Sequence, residues 1–169
     1  MENLPQTPSI RRSVDPRFKK YSGTRIPAFR SSWETAYAGA LDRSPNVKSW
    51  ASEPFSITYY NPIKKKNTLY WPDFVVEFTN NFVMIVEIKP LKETLLEKSR
   101  TLYDRAMVLQ NAAKWQAMLA FCKTQGWGFK VYTERELAGL LTKRTTNKPR
   151  TARTTRTTVK PRGTRGTRR

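Results

Sequence analysis

The sequence predicts an α/β domain whose elements run α-β-β-β-α-β-α. Three observations carry this. Apolar residues recur at helical spacing in two separate stretches. Between the two lie three strand-like runs broken by polar turns. A fourth such run follows the second helix, and a short helical segment closes the order.

The first helix is read in "SSWETAYAGALDRS", where Trp33, Ala36, Tyr37, Ala40 and Leu41 fall on one stripe. Ser31 is a suitable N-cap and Pro45–Asn46 a stop. "EPFSITYY" alternates Phe55, Ile57 and Tyr59, which predicts a strand, and "NPIKKKN" reads as a polar turn. "TLYWPDFVVEF" reads as a second strand, "NN" as a turn and "FVMIVEIKP" as a third strand. So short a turn predicts that the second and third strands form an antiparallel hairpin. A long helix is expected roughly from Leu95 to Thr124, ended by Gly126. "WGFKVYT" then gives a fourth strand and "ERELAGLL" a closing helix.

The charge is unevenly spread. Of 169 residues, 32 are Lys or Arg and 13 Asp or Glu, a formal net charge of +19. Residues 1–30 carry net +5, residues 31–142 net +3, and residues 143–169 net +11 with no acidic residue. This divides the chain into a Pro-containing basic arm (1–28), a near-balanced domain (29–142) and a Thr/Arg tail (143–169). The tail is too polar to bury a core and is expected to be disordered. A tail with no balancing acid favours a polyanion, most plausibly nucleic acid, over a merely solubilising role.

Composition also excludes. With a single cysteine, Cys122, no intrachain disulfide forms. No apolar stretch approaches the length of a membrane span, and "MENLPQTPSIRRS" lacks the apolar region of a signal peptide. The absence of histidine removes Ser-His and Cys-His catalysis and zinc sites of the Cys/His type. Any metal must then be a hard cation on oxygen ligands.

Within "MIVEIKP", Glu87 and Lys89 are two residues apart, so a strand presents both on one face. Alternation in the preceding run puts Leu69, Trp71, Asp73, Val75 and Glu77 together on one face. Asp73 thereby comes near Glu87 and Lys89. Two carboxylates and a lysine have a chemical use: the carboxylates hold Mg²⁺ or Mn²⁺, which activates water and polarises a phosphodiester, and the lysine offsets phosphoryl charge. The plainer alternative is a Glu87–Lys89 salt bridge with Asp73 at a strand end. Desolvating such a pair is costly. Glu34 is ambiguous, since Ser31-Ser32-Trp33-Glu34 also fits a capping box. Lys64, Lys65 and Lys66 suit either a phosphate grip or a polar turn. Asn111, Lys114 and Gln116 offer a polar face of the long helix, toward the site or toward solvent. Trp33, Trp50 and Trp71 are assigned to packing.

"PD" at Pro72–Asp73 followed by "EIK" at 87–89 resembles the PD-(D/E)XK nuclease motif. The α-β-β-β-α-β order resembles that superfamily's core, a mixed central sheet with flanking helices. More narrowly, residues 29–141 are similar to the head completion nuclease family of tailed phages, through "FRSSWETAYAGALDRSPNVKSWASEPFSITYYNP", "YWPDFVVEF", "VEIKP" and "AAKWQAMLAFCKTQGWGFKVYTERE". A transposon-encoded endonuclease subunit is a more distant relative. The resemblance implies an Mg²⁺-dependent DNA endonuclease, with Mn²⁺ able to substitute. It implies Asp73 and Glu87 as metal ligands, Glu34 as the first-helix acidic residue, the Ile88 carbonyl as a further ligand and Lys89 as the motif lysine. The implied setting is phage head completion in the host cytoplasm, before tail attachment, on double-stranded DNA. Portal, head or neck proteins are the implied partners, and the virion is an alternative location. A structural head-closure protein that binds DNA without cutting, and a junction-resolving or transposition endonuclease, are the competing functions.

Overall fold

The computed structural model describes residues 17–142. The elements are α1 (Ser32–Arg43), β1 (Val47–Ser52), β2 (Ile57–Asn61), β3 (Lys66–Tyr70), β4 (Phe74–Phe78), β5 (Val83–Ile88), α2 (Leu102–Gln125), β6 (Gly128–Tyr132) and α3 (Glu134–Thr142), with two 3₁₀ turns, Leu91–Glu93 and Leu96–Lys98, before α2. Four strands form a sheet in the order β1-β4-β5-β6, while β2 and β3 form a separate ribbon. The β1–β4 and β4–β5 pairs are antiparallel; β5–β6 is parallel, joined by the α2 crossover. The sheet is therefore mixed, as expected. Among the described residues no helix is long and apolar enough to cross a membrane.

Both faces of the sheet are covered, so its central strands alternate between two cores rather than between core and water. Phe74, Val76, Val86 and Ile88 pack with Tyr37, Ala38 and Leu41 of α1 and Leu137 of α3. Val75 and Ile85 pack on the other side with Met118 and Cys122 of α2 and with Tyr59 and Tyr70 of the ribbon. Ser31 caps α1, its Oγ accepting from the Glu34 N–H at 3.1 Å. Thr101 caps α2 in the same way at 3.0 Å, through the Asp104 N–H. Gly126 ends α2 at φ 67°, a left-handed conformation that glycine adopts without strain.

The fold departs from the expected elements in four places. First, the observed order has five strands before α2 rather than three. The additional β1 escapes notice because a register irregularity between Val47 and Ser49 spoils its alternation. Second, "TLYWPDFVVEF" is not one strand. Pro72 has no N–H to give a ladder, and the chain turns at 71–73, leaving β3 in the ribbon and β4 in the sheet. The face expected to run from Leu69 to Glu77 is thus cut in two. Third, α2 begins at Leu102; residues 95–101 hold a 3₁₀ turn and the Thr101 cap instead of a helical turn. Fourth, the described part of the expected 1–28 arm is packed. Tyr21 is buried and bridges to Trp50, and Phe18 meets the Trp50 ring edge-on at 5.1 Å. The Thr/Arg tail at 143–169 lies outside the described residues.

Phe74 joins the site to this core. It is fully buried and its ring lies 5.2 Å from Tyr37, 5.9 Å from Trp50 and 6.2 Å from Phe29. Phe74→Ala should cost about 3–5 kcal/mol, the range for deleting a buried aromatic ring. Urea denaturation would show it as a lower midpoint, and an unchanged midpoint would remove Phe74 from the core assigned to it.

Candidate nuclease site

The β4–β5 hairpin and the 71–73 corner build the site. Ladder pairing sets Phe74 against Val86, which brings Asp73 level with the end of β5. The Ile88 N–H donates to Asp73 Oδ2 at 2.8 Å, and the Asp73 N–H donates to Glu87 Oε2 at 3.3 Å. Each acidic side chain therefore holds backbone of the other's segment: Glu87 the N–H of Asp73, and Asp73 the N–H of Ile88, the residue after Glu87. Lys89 Nζ lies 2.9 Å from Glu87 Oε1, 3.6 Å from Asp73 Oδ2 and 3.2 Å from the Ile88 carbonyl, to which it donates. Asp73, Glu87, Ile88 and Lys89 thus converge. The salt bridge considered for Glu87 and Lys89 is present, and it is part of this larger cluster.

Tyr70, which the sequence did not single out, is the fifth member. Its hydroxyl donates to Glu87 Oε2 at 2.7 Å. Its ring lies 5.5 Å beneath Lys114 Nζ. Of the three α2 candidates, only Lys114 reaches this side. Asn111 is buried and donates to the Glu93 carbonyl at 3.2 Å, while Gln116 is exposed. Tyr70 could have been suspected only by knowing that the chain breaks after it, because unbroken alternation puts it on the face opposite Asp73.

Glu34 serves the helix cap. Ser31 Oγ donates to its Oε1 at 2.9 Å and the Arg30 N–H donates to Oε2 at 2.8 Å. The same side chain lines a cleft of about 650 Å³ together with Asp73, Ile88, Lys89, Glu93 and Glu134. The capping and site readings of Glu34 are compatible, since the carboxylate at the N-terminus of α1 borders the cleft. A smaller recess of about 200 Å³ opens on the other side of Asp73 and Lys89, lined by Arg30, Glu53, Leu69, Tyr70, Trp71, Glu87 and Lys114. Arg30 and Glu53 form an ion pair there. Of the three tryptophans assigned to packing, only Trp50 is in the core. Trp33 and Trp71 are 37% and 45% exposed and line the two openings.

The electrostatics are those of crowded acids. Burial and the neighbouring Glu87 push the Asp73 carboxyl up to about 7, against the opposing pull of Lys89 and the Ile88 N–H. Burial works to lower the Lys89 pKa, but Glu87 and Asp73 outweigh it and hold the ammonium protonated. Burial also lowers the Lys114 pKa below that of an ordinary lysine, with Glu87 pulling the other way. Among the described residues no three Asp, Glu, Cys or His side chains stand close enough to hold a metal by themselves. The donor set present is two carboxylates and a backbone carbonyl. The Lys89 ammonium touches all three, so these oxygens already converge on one positive charge. That chemistry suits a hard divalent cation.

A mixed α/β domain with two carboxylates and a lysine at the end of its central hairpin is of nuclease type. Residues 44–134 match the model of the TnsA-like endonuclease N-terminal family, and the chain belongs to that family. It is also similar to the head completion nuclease of Enterobacteria phage T4, at 28% identity over 138 residues, covering 75% of this chain and 92% of that protein.

The crowding has a measurable consequence. With its folded pKa raised above the unfolded value, Asp73 binds more protons in the folded state between about pH 4 and 7. Its ionisation therefore lowers stability progressively as pH rises through that window, and the full penalty persists above it. Asp73→Asn should melt above wild type at pH 8 in EDTA, by about 2–4 °C for each kcal/mol relieved. The gap should close toward pH 4. A gap that stays constant with pH, or a variant less stable at pH 8, would count against the assigned crowding.

Proposed function

We propose that this protein is a divalent-metal-dependent DNA endonuclease acting in phage head completion, before tail attachment. The carrying observation is the convergence of Asp73, Glu87, the Ile88 carbonyl and Lys89 within a TnsA-like endonuclease domain. Asp73, Glu87 and the Ile88 carbonyl would hold Mg²⁺, or Mn²⁺ in its place, with Glu34 bordering the cleft. When bound, such an ion supplies Lewis acidity toward the phosphodiester and lowers the pKa of water.

The chain's own residues do the rest. Lys89, placed beside Asp73, Glu87 and the Ile88 carbonyl, would set its ammonium against the phosphoryl oxygens, where negative charge grows as water attacks. In the metal-free protein Glu87 and Asp73 keep Lys89 a cation. Tyr70 fixes Glu87 by donating to Oε2, and the Asp73 N–H donates to the same oxygen. The outcome is hydrolysis without a covalent protein intermediate. The basic tail and Lys64, Lys65 and Lys66 at the ribbon tip hold DNA by charge and without sequence readout.

Two other readings share part of this support. A junction or transposition endonuclease would use the same groups. The similarity spanning 92% of a phage head completion nuclease favours the head-completion setting. A head-closure protein that only binds DNA would have no use for Asp73, whose ionisation works against folding. Retention of the full Asp, Glu, Lys set favours an enzyme.

Supercoiled plasmid separates these. Purified protein with Mg²⁺ or Mn²⁺ should nick or linearise it, and EDTA should stop the reaction. Asp73→Asn should lower the rate by at least about a hundredfold, the scale for losing one key electrostatic group. Plasmid left intact by both proteins with either metal would contradict the enzyme reading.

A further inference from the structure

The β2–β3 ribbon has one covered face and one open face. Inward, Tyr59 and Tyr70 join the core against α2. Outward, register pairs Thr58 with Leu69 and Tyr60 with Asn67, so Tyr60 and Leu69 are diagonal neighbours on the same face. Tyr60 is 58% exposed and Leu69 54%. Trp71 follows at the corner, and Leu69 and Trp71 line the recess that Asp73, Glu87, Lys89 and Lys114 also line. At the far end, the exposed Lys64 and Lys65 lie in the turn and the exposed Lys66 opens β3. A line of aromatic and apolar surface thus runs from a triple-lysine tip to the candidate nuclease site.

We propose that this outward face is a stacking strip for an unpaired DNA strand, which directs the nuclease to DNA with a single-stranded segment beside a duplex. The substrate class rests on the nuclease reading of the adjoining site. A duplex keeps its base faces stacked on each other, so it offers phosphates to the lysines but nothing to Tyr60 or Trp71. An unpaired strand offers both, and stacking on aromatic side chains tolerates any sequence. The charge at the tip favours a polyanion over a neutral protein partner.

The test reads binding apart from cutting. Full-length Asp73→Asn protein is titrated against a blunt duplex and a splayed fork of equal length, the fork carrying 2-aminopurine in one unpaired arm. Moderately high salt suppresses binding by charge alone. The fork should bind about tenfold more tightly, on the scale of one stacked base, with a change in 2-aminopurine emission. Adding Tyr60→Ala and Trp71→Ala should abolish the preference and the emission change. Trp71→Phe should keep much of both. If the double substitution fails to fold, Tyr60→Ala alone, at an exposed position, should still reduce both. Equal affinity for fork and duplex would overturn the proposal, as would a preference that survives these changes. So would self-association that Tyr60→Ala abolishes while fork binding persists. A wild-type protein that prefers forks through this strip yet cuts no DNA overturns the nuclease reading and leaves the strip standing.

Discussion

The site depends on one buried carboxylate. Glu87 is almost wholly enclosed, and three groups from three places hold its carboxylate oxygens: the Tyr70 hydroxyl, the Asp73 N–H and the Lys89 ammonium. A buried carboxylate without such partners is strongly unfavourable. The partners in turn fix the structure around it. Tyr70 ends the ribbon, Asp73 stands at the corner between ribbon and sheet, and Lys89 leaves β5 for the loop toward α2. Ordering Glu87 therefore locks the ribbon to the sheet at the point where the cleft opens.

This explains why the chain breaks at Trp71-Pro72-Asp73. A strand running straight through would put Tyr70 and Asp73 on opposite faces. The Pro72 corner brings both to the same carboxylate. It also releases the ribbon from the sheet, so that one of its faces stays open beside the site. The motif proline is thus a geometric device, and the acidic residue after it inherits a position no continuous strand provides.

Much of this was legible in the sequence. The two-residue spacing of Glu87 and Lys89, and a short turn pairing their strand with the one after Asp73, brought three members of the site together. Alternation identified Glu87's side of β5 correctly. The losses have physical causes. Tyr70 was hidden because periodicity cannot see a corner. Strand β1 was hidden by its irregular register. The packing assigned to Trp33 and Trp71 failed because an aromatic residue near a motif looks the same whether it fills a core or borders an opening. Phe18 and Tyr21 were read as part of an arm because isolated aromatics show no period, although Trp50 gives both a place to pack.

The central claim is that Asp73 and Glu87 crowd one another until a divalent cation relieves them. Carboxyl ¹³C NMR of the metal-free protein, followed against pH and repeated with Mg²⁺, reads this at the residue concerned, with Asp73→Asn to assign the signal. The account predicts that Asp73 titrates near pH 7 without metal and at clearly lower pH with it. An Asp73 that titrates in the ordinary carboxylate range and ignores Mg²⁺ would contradict it.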